Sequence, residues 1–226
     1  MIAKVPGIQH NRTMNAVASQ ASPGLVAPIP PLVLASGSQA RAALLRAAGL
    51  VCEIVPAGVD EAEFKAAARA AGAGADEVAS SLAELKALRR SRQSPDALVI
   101  AADQMLSCDG RWFDKPEGSA AARQQLLALR GRTHELHSAV CVGRGGSIAW
   151  RHRERARLTM RDFSDAFLDA YLAAAGDAVA DSVGGYQLEG LGAQLFAAIE
   201  GDYFAILGLP LLPLLAFLRQ HGVLLA

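Results

Sequence analysis

Short apolar runs alternate with amphipathic segments along most of this chain. Apolar runs bounded by turn residues predict buried strands, and apolar positions that recur every three or four residues predict helices. Strands are predicted over residues 32–35, 51–55, 97–102, 132–142 and 148–160, with a hairpin over 105–113. Helices are predicted over residues 39–48, 61–71, 76–91, 119–129, 164–175 and 210–220. This alternation predicts a mixed α/β fold in which helices flank a twisted mixed sheet.

The two ends of the chain depart from this pattern. Residues 1–30 are broken by prolines and contain no continuous apolar run, so we expect a disordered extension there and not a secretory signal. The run over residues 204–218 is strongly apolar, but Pro210 and Pro213 interrupt it. It is also shorter than the ~20 residues that a membrane helix needs. We therefore expect a buried last helix, no membrane association, and one folded domain over residues 31–226.

Composition and charge exclude several classes of protein. The 226 residues suffice for one sizeable core or for two small lobes that share a cleft. Basic and acidic side chains balance to zero net charge, which is not typical of a nucleic-acid-binding protein. Cys52, Cys108 and Cys141 form no C-x-x-C pair, so neither a zinc site nor a disulfide framework is indicated. We expect three buried thiols in a reducing compartment, the cytoplasm.

A turn between the first predicted strand and the first predicted helix has the composition of a phosphate site. Ser36, Gly37 and Ser38 form this turn. The N-terminus of a helix exposes unpaired N–H groups and the positive end of the helix dipole, and both attract phosphate. Ser38 adds a hydroxyl group, and Arg41 adds a guanidinium suited to phosphate oxygens. The alternative is a capped helix with a surface arginine.

Two acidic positions are candidates for metal binding or base catalysis. Asp103 directly follows an apolar strand, and ligands of open α/β sheets gather at such strand ends. Asp60 and Glu61 follow the second predicted strand, and paired carboxylates can hold Mg²⁺. The alternatives are an aspartate that starts a turn and an acidic helix start, which favours the helix dipole.

Two later segments add a cation and a glycine-rich loop. Lys115 precedes Pro116, which fixes the local backbone, so its ammonium group could neutralise phosphate; the alternative is an ordinary exposed lysine. The segment over residues 184–192 is rich in glycine, which suggests close approach of the backbone to a base or sugar. It does not complete a dinucleotide fingerprint, because Leu195 stands where the third glycine would be.

Taken together and in order, these segments resemble the Maf family of nucleotide pyrophosphatases, also called septum-formation inhibitors. The matching segments are Leu34–Arg41, Asp60–Glu61, Leu82–Ala87, Ile100–Asp103, Lys115–Pro116, Leu129–His134 and Gly201–Pro210. The resemblance spans residues 32–220 and implies the mixed α/β inosine-triphosphatase-like architecture, with two lobes around a central cleft and often a homodimer. It also implies release of pyrophosphate from a nucleoside triphosphate with the help of Mg²⁺ or Mn²⁺.

The resemblance assigns roles to individual residues. It implies Asp103 as the proton acceptor, with Glu61 and Lys115 beside it in catalysis. Positions that match phosphate contacts are Ser38, Arg41, Lys86 and Lys115. Asp103 and Glu61 would lie near the metal, and Glu189 would lie near the base.

Four positions depart from the family pattern. Gln39 and Ala40 replace a proline and an arginine, and Ser182 replaces a lysine. Glu189 stands where many members carry glutamine, which resembles the branch that acts on 7-methyl-GTP. A glutamate accepts N–H donors from guanine, whereas a glutamine both donates and accepts. The lost cations leave a second hypothesis open: a regulator of cell division that binds nucleotide without turnover.

Overall fold

A seven-stranded mixed sheet forms the framework of residues 30–225, the range that the computed structural model describes. The predicted N-terminal extension over residues 1–30 lies outside this range, apart from Pro30. The strands are β1 (Leu32–Leu34), β2 (Glu53–Ile54), β3 (Leu98–Cys108), β4 (Arg111–Phe113), β5 (Thr133–Arg144), β6 (Ser147–Met160) and β7 (Phe196–Glu200). The α-helices are α1 (Gln39–Ala47), α2 (Glu61–Ala70), α3 (Ala75–Gln93), α4 (Ser119–Leu129), α5 (Asp165–Ala175), α6 (Tyr203–Ile206) and α7 (Leu211–Gln220).

The sheet combines a parallel half with an antiparallel half. The strand order is β2-β1-β3-β5-β6-β7, and β4 pairs with one end of β3. β1 runs parallel to β2 and β3, and α1 supplies the crossover that parallel strands require. The remaining pairs are antiparallel, and β5 turns into β6 at Gly145 and Gly146, where both φ angles are positive as in a type I′ turn. The predicted mixed α/β fold class is confirmed.

The apolar core has two parts, one at each end of the long strands. At one end, α3 packs on one face of β1, β3 and β5, while α1 and α7 pack on the opposite face. At the other end, α4 and α5 pack against β3, β4, β5 and β6. Because the two parts share the sheet but have separate helices, they correspond to the two lobes expected from the sequence.

Most predicted elements are present, and the main differences concern β3, β7 and the short helix α6, which was not predicted. The predicted strand over residues 97–102 does not end at Asp103 but continues through it to Cys108. It continues because β5 pairs with β3 from Val99 to Ser107 and satisfies its backbone groups on that side. β7 was not predicted; it is an edge strand whose residues Ala197–Glu200 are all exposed. A strand exposed on both faces has no apolar alternation to reveal it.

The C-terminal apolar run forms a buried helix, as predicted. Leu211, Leu214, Phe217 and Leu218 of α7 are buried against the sheet. None of the helices within residues 30–225 has both the length and the apolar character needed to cross a bilayer. All three cysteines are free thiols, but only Cys108 and Cys141 are buried as predicted, because Cys52 is half-buried.

Candidate active site

The predicted site residues converge on one cavity of about 590 Å³ between the two parts of the core. Such a volume lies within the usual range for small-molecule sites. The cavity is lined by the turn before α1, the loop before α2, the middle of β3, and the segments around residues 181–189 and 206–208. The sequence-predicted residues that line it are Ser38, Arg41, Glu61, Lys86, Asp103, Lys115 and Glu189. Residues that are up to 151 positions apart therefore share a single site.

The turn before α1 brings hydroxyl groups and a helix N-terminus to the cavity. Ser38 is the N-cap of α1, and its Oγ accepts a hydrogen bond from the Arg41 backbone N–H over 3.4 Å. The Ser38 backbone N–H in turn donates to Ser36 Oγ over 3.2 Å. α1 carries no acidic residue in its first turn, so no side-chain carboxylate there opposes the positive end of its dipole. This end of the cavity is suited to an anion.

Arg41 is half-buried in the cavity wall, so the alternative of a surface arginine is wrong. Its Nε donates to the Gly208 carbonyl oxygen over 2.8 Å, and its Nη1 donates to Ser36 Oγ over 3.1 Å. Burial lowers the pKa of Arg41, while the nearby charges of Asp103 and Glu61 oppose that shift. An arginine nevertheless stays protonated at neutral pH. The guanidinium is thus a fixed positive charge that ties α1 to the loop before α7.

Asp103 reaches the cavity from the middle of β3, not from its end. β1 pairs with β3 only from Leu98 to Ile100, because β1 ends at Leu34 and the chain then turns towards α1. Beyond Ile100, no strand within residues 30–225 pairs with that side of β3 until β4 does so at Leu106. The cavity opens into this gap. The strand whose carboxyl end faces the cavity is therefore β1, as is usual for ligand sites of α/β sheets. Asp103, within β3, lines the cavity next to that end.

Lys86 joins the two candidate carboxylates. Its Nζ lies 2.6 Å from Asp103 Oδ1 and 2.6 Å from Glu61 Oε1. Burial raises the pKa of Asp103 above its usual value, although Lys86 and Arg41 oppose the shift. Burial also acts to raise the pKa of Glu61, but Lys86, Lys65 and Arg41 outweigh it and hold that pKa below its usual value. The site therefore contains one carboxylate that ionises readily and one that burial makes more basic.

Asp60 and Glu61, the acidic pair at the start of α2, have different roles in the structure. Only Glu61 lines the cavity. Asp60 is the N-cap of α2, and its Oδ1 accepts a hydrogen bond from the Glu63 backbone N–H over 3.0 Å. For Asp60, the helix-start alternative is therefore correct.

A lysine that the sequence analysis did not select completes the cationic side of the cavity. Lys65 lines the cavity, with its Nζ 2.6 Å from Asp114 Oδ1 and 4.0 Å from Glu61 Oε2. The exposed Lys115 follows Asp114 directly and lines the same region. Lys65 stands four positions after Glu61 on α2, a spacing that places both side chains on one helix face. That spacing was the available signal for Lys65.

The glycine-rich segment forms one wall of the cavity, but two of its glycines, Gly184 and Gly192, serve protein packing. A Cβ at Gly184 would lie 2.7 Å from carbon atoms of Leu106 and of Tyr186, and a Cβ at Gly192 would overlap the Gln187 carbonyl oxygen. Neither glycine lines the cavity. At these two positions, protein packing and not the approach of a base or sugar explains the need for glycine. The exposed Glu189 and its neighbours present side chains to the cavity instead.

A buried polar pair anchors this wall to the sheet. His134 on β5 and Tyr186 in the wall are both buried, and His134 Nε2 lies 2.7 Å from Tyr186 Oη. Burial lowers the pKa of His134 to about 4, so the imidazole is neutral at physiological pH. A second contact, from Tyr171 Oη to the Gly185 carbonyl oxygen over 3.2 Å, holds the same wall to α5. Neither tyrosine was assigned a role from the sequence.

The two carboxylates fit a divalent cation that is shared with a substrate. Asp103 Oδ2 is buried and has no hydrogen-bond partner among residues 30–225, so it retains acceptor capacity. No cluster of three or more histidine, cysteine, aspartate or glutamate side chains suited to a metal occurs in that range. Mg²⁺ is commonly bound by one or two carboxylates together with substrate phosphates, which matches Asp103 and Glu61.

Comparison with known proteins places this chain in a family. Residues 31–221 match the model of the Maf family, described as Maf-like protein. A nucleoside triphosphate pyrophosphatase from Paramagnetospirillum magneticum is 57% identical over 192 residues, which cover 85% of this chain and 99% of that protein. Proteins of the same name from Granulibacter bethesdensis and Rhodospirillum rubrum are each 54% identical, over 85% and 88% of this chain and 98% of each relative.

A solved structure is also similar. It is a HAM1 protein from Coxiella burnetii, with a TM-score of 0.36, 16% identity, and coverage of 60% of this chain and 75% of that chain. At this level, the structural similarity adds nothing to the family assignment, which is based on the match over residues 31–221 and on the relatives above 50% identity. This chain belongs to the Maf family.

Proposed function

We propose that this protein hydrolyses a nucleoside triphosphate between its α- and β-phosphates, releasing the monophosphate and pyrophosphate. The observation that carries the proposal is one cavity in which a helix N-terminus and four cationic side chains surround two carboxylates. The cationic residues are Arg41, Lys65, Lys86 and Lys115. The relatives named nucleoside triphosphate pyrophosphatase, at 50–57% identity, support the same reaction.

Asp103 is proposed as the general base that accepts a proton from the attacking water. Its buried position raises the pKa of the carboxyl group, which makes it a better base than an exposed aspartate. Asp103 and Glu61 would also hold a divalent cation, Mg²⁺ or Mn²⁺, which supplies charge neutralisation and lowers the pKa of water. In this mechanism, the catalytic contribution of Glu61 is its negative charge, which helps Asp103 to hold the cation.

The remaining side chains bind the phosphates. A triphosphate carries roughly four negative charges near neutral pH, and stabilising charge in the transition state is usually the largest catalytic contribution. Ser38 and the α1 N-terminus offer N–H and O–H donors, and Arg41, Lys86 and Lys115 offer positive charge. The positions that depart from the family pattern also line this cavity, namely Gln39, Ala40 and Ser182. The arginine and the lysine that many family members carry are therefore missing from the phosphate site.

Pyrophosphate release tests this function directly. We expect release, in the presence of Mg²⁺ or Mn²⁺, from at least one member of a panel containing 7-methyl-GTP, dTTP, UTP and inosine triphosphate. Nucleotide binding without release from any of them would contradict the proposal. That result would favour the second candidate, a regulator of cell division that binds nucleotide without turnover, for which the lost cations are the motivating observation.

Glu189 is proposed to select the base, with 7-methyl-GTP as the preferred substrate. We expect kcat/KM for 7-methyl-GTP to exceed that for dTTP, because a carboxylate accepts the N–H donors of a guanine edge. In Glu189→Gln, this ratio is expected to fall about tenfold, equivalent to about 1.4 kcal/mol of discrimination. Steady-state kinetics with both substrates measures it. Glu200→Gln on β7, which does not line the cavity, is the matched control. An unchanged ratio in Glu189→Gln would remove this role.

Location and assembly complete the proposal. A cytoplasmic location is consistent with the free thiols of Cys52, Cys108 and Cys141. The homodimer implied by the family resemblance remains a prediction, which light scattering on purified protein checks.

A further inference from the structure

Lys86 occupies the position between the two carboxylates that a divalent cation would use. The side chain is buried, and its ammonium nitrogen lies 2.6 Å from an oxygen of each carboxylate. The other cations of the cavity have different primary partners: Arg41 donates to Gly208 and Ser36, and Lys65 binds Asp114. Among residues 30–225, Lys86 is the only lysine or arginine that forms a salt bridge with Asp103. Within the described residues, Lys86 is therefore the one ammonium group in direct contact with both carboxylates of the candidate metal site.

We propose that Lys86 closes the carboxylate pair to free divalent cations, so that the cation binds stably only together with the nucleotide. This inference rests on the proposed function and adds an order of binding to it. The Lys86 ammonium group, 2.6 Å from an oxygen of each carboxylate, repels a dication that approaches the same two carboxylates. An incoming triphosphate offers Lys86 alternative anionic oxygens in the same cavity. Lys86 then exchanges its carboxylate partners for phosphate and leaves both carboxylates to the cation.

The interaction of Lys86 with Asp103 differs from an ordinary structural ion pair, because one oxygen of Asp103 has no hydrogen-bond partner among residues 30–225. Buried carboxylates in structural ion pairs are stable when their remaining lone pairs are also hydrogen-bonded. Asp103 Oδ2 is buried without such a partner in the part of the chain that the structure describes. Lys86 therefore satisfies only one of the two Asp103 oxygens. The arrangement resembles a site held ready for an additional ligand more than a completed salt bridge.

The long lysine side chain suits an exchange of partners. Its ammonium group is a compact charge on a flexible four-carbon stem, and it does not require the planar two-point geometry of an arginine. Lys86 lies on α3, whereas Glu61 and Asp103 belong to α2 and β3. Because Lys86 also lines the cavity, side-chain rotation would carry its ammonium group from the carboxylates towards a bound phosphate without movement of these elements.

Mn²⁺ titration of the purified full chain tests the inference, because it measures binding without turnover. With no nucleotide present, Lys86→Met is expected to bind Mn²⁺ at least about tenfold more tightly than the wild type, a difference of one decade in Kd. Adding the α,β-methylene analogue of GTP is expected to tighten Mn²⁺ binding to the wild type by at least about tenfold. The analogue should have a smaller effect on Lys86→Met. Calorimetry, or the electron paramagnetic resonance signal of free Mn²⁺, at pH 8 reports each Kd.

Two further variants make the test specific. Lys86→Gln removes the charge but keeps a hydrogen-bond donor, so it should also bind free Mn²⁺ more tightly if Lys86→Met folds poorly. Lys65→Met removes the neighbouring ammonium group, which lies 4.0 Å from Glu61 and is held by Asp114, and should change Mn²⁺ affinity less. The inference is overturned if folded Lys86 variants bind free Mn²⁺ no more tightly than the wild type. Failure of the proposed function is detected separately, as absence of pyrophosphate release by the wild type.

Discussion

Replacing Asp103 with asparagine is expected to lower kcat for pyrophosphate release by at least about 100-fold while the protein still folds. General base catalysis typically contributes 10²- to 10⁴-fold, and an amide oxygen cannot take up the proton of water at neutral pH. Asparagine matches the shape of aspartate and can still accept the hydrogen bond that Lys86 donates over 2.6 Å. Steady-state kinetics measures the loss, and circular dichroism checks the fold.

Asp60→Asn is the matched control for this experiment. Asp60 caps α2 and does not line the cavity, and asparagine is as good an N-cap as aspartate. The control makes the same chemical change one residue before Glu61, so we expect kcat within about twofold of the wild type. Near-normal release by Asp103→Asn would overturn the assignment of the base, and a comparable loss in Asp60→Asn would indicate a general effect on folding.

Most of the charged residues that line the cavity were predicted from the sequence, with Lys65 as the exception, but the contacts of each residue were not. Ser38, Arg41, Lys86 and Asp103 belong to motifs that could be aligned in order with a family, and all of them line one cavity. The bond from Arg41 to the Gly208 carbonyl oxygen spans 167 positions, and no local pattern encodes such a pair. Long-range partners become visible only when the sheet order is known.

In the fold too, features set by the local sequence pattern were predicted and features set by long-range pairing were not. The β1 and β3 segments were recognised because strands buried on both faces appear as continuous apolar runs. The predicted end of β3 was wrong because Asp103 interrupts that run, although the backbone pairing with β5 continues past it to Ser107. A charged residue inside a buried strand is unfavourable for local stability and is typical of functional sites. The error in the predicted boundary therefore coincides with the site.

Breaking the bond between His134 and Tyr186 is expected to lower both stability and nucleotide affinity. Tyr186→Phe leaves the buried imidazole without its only hydrogen-bond partner in residues 30–225, at a cost of about 1–3 kcal/mol in the free energy of unfolding. The cavity wall that carries Glu189 should then be less well ordered, so KM should rise more than kcat falls. Urea unfolding and steady-state kinetics measure the two effects, and Tyr203→Phe, at an exposed tyrosine, is the control.

The double variant His134→Leu with Tyr186→Phe separates a specific bond from general damage to the core. Replacing both partners by apolar groups removes the unsatisfied polar atoms, so the double variant should lose less stability than the two single variants together. The pH dependence gives a second readout. Because burial lowers the pKa of His134 to about 4, folding favours the neutral imidazole, whereas the unfolded chain takes up a proton near pH 6.5.

The contribution of His134 to stability is therefore fully present above about pH 6.5 and is lost as the pH falls towards 4. His134→Leu should lack this component and show a shallower decline in the free energy of unfolding over that interval. If the losses of the single variants were additive and the decline unchanged, the pair would not act as a unit. The wall of the cavity would then depend on other contacts, such as the bond from Tyr171 to Gly185.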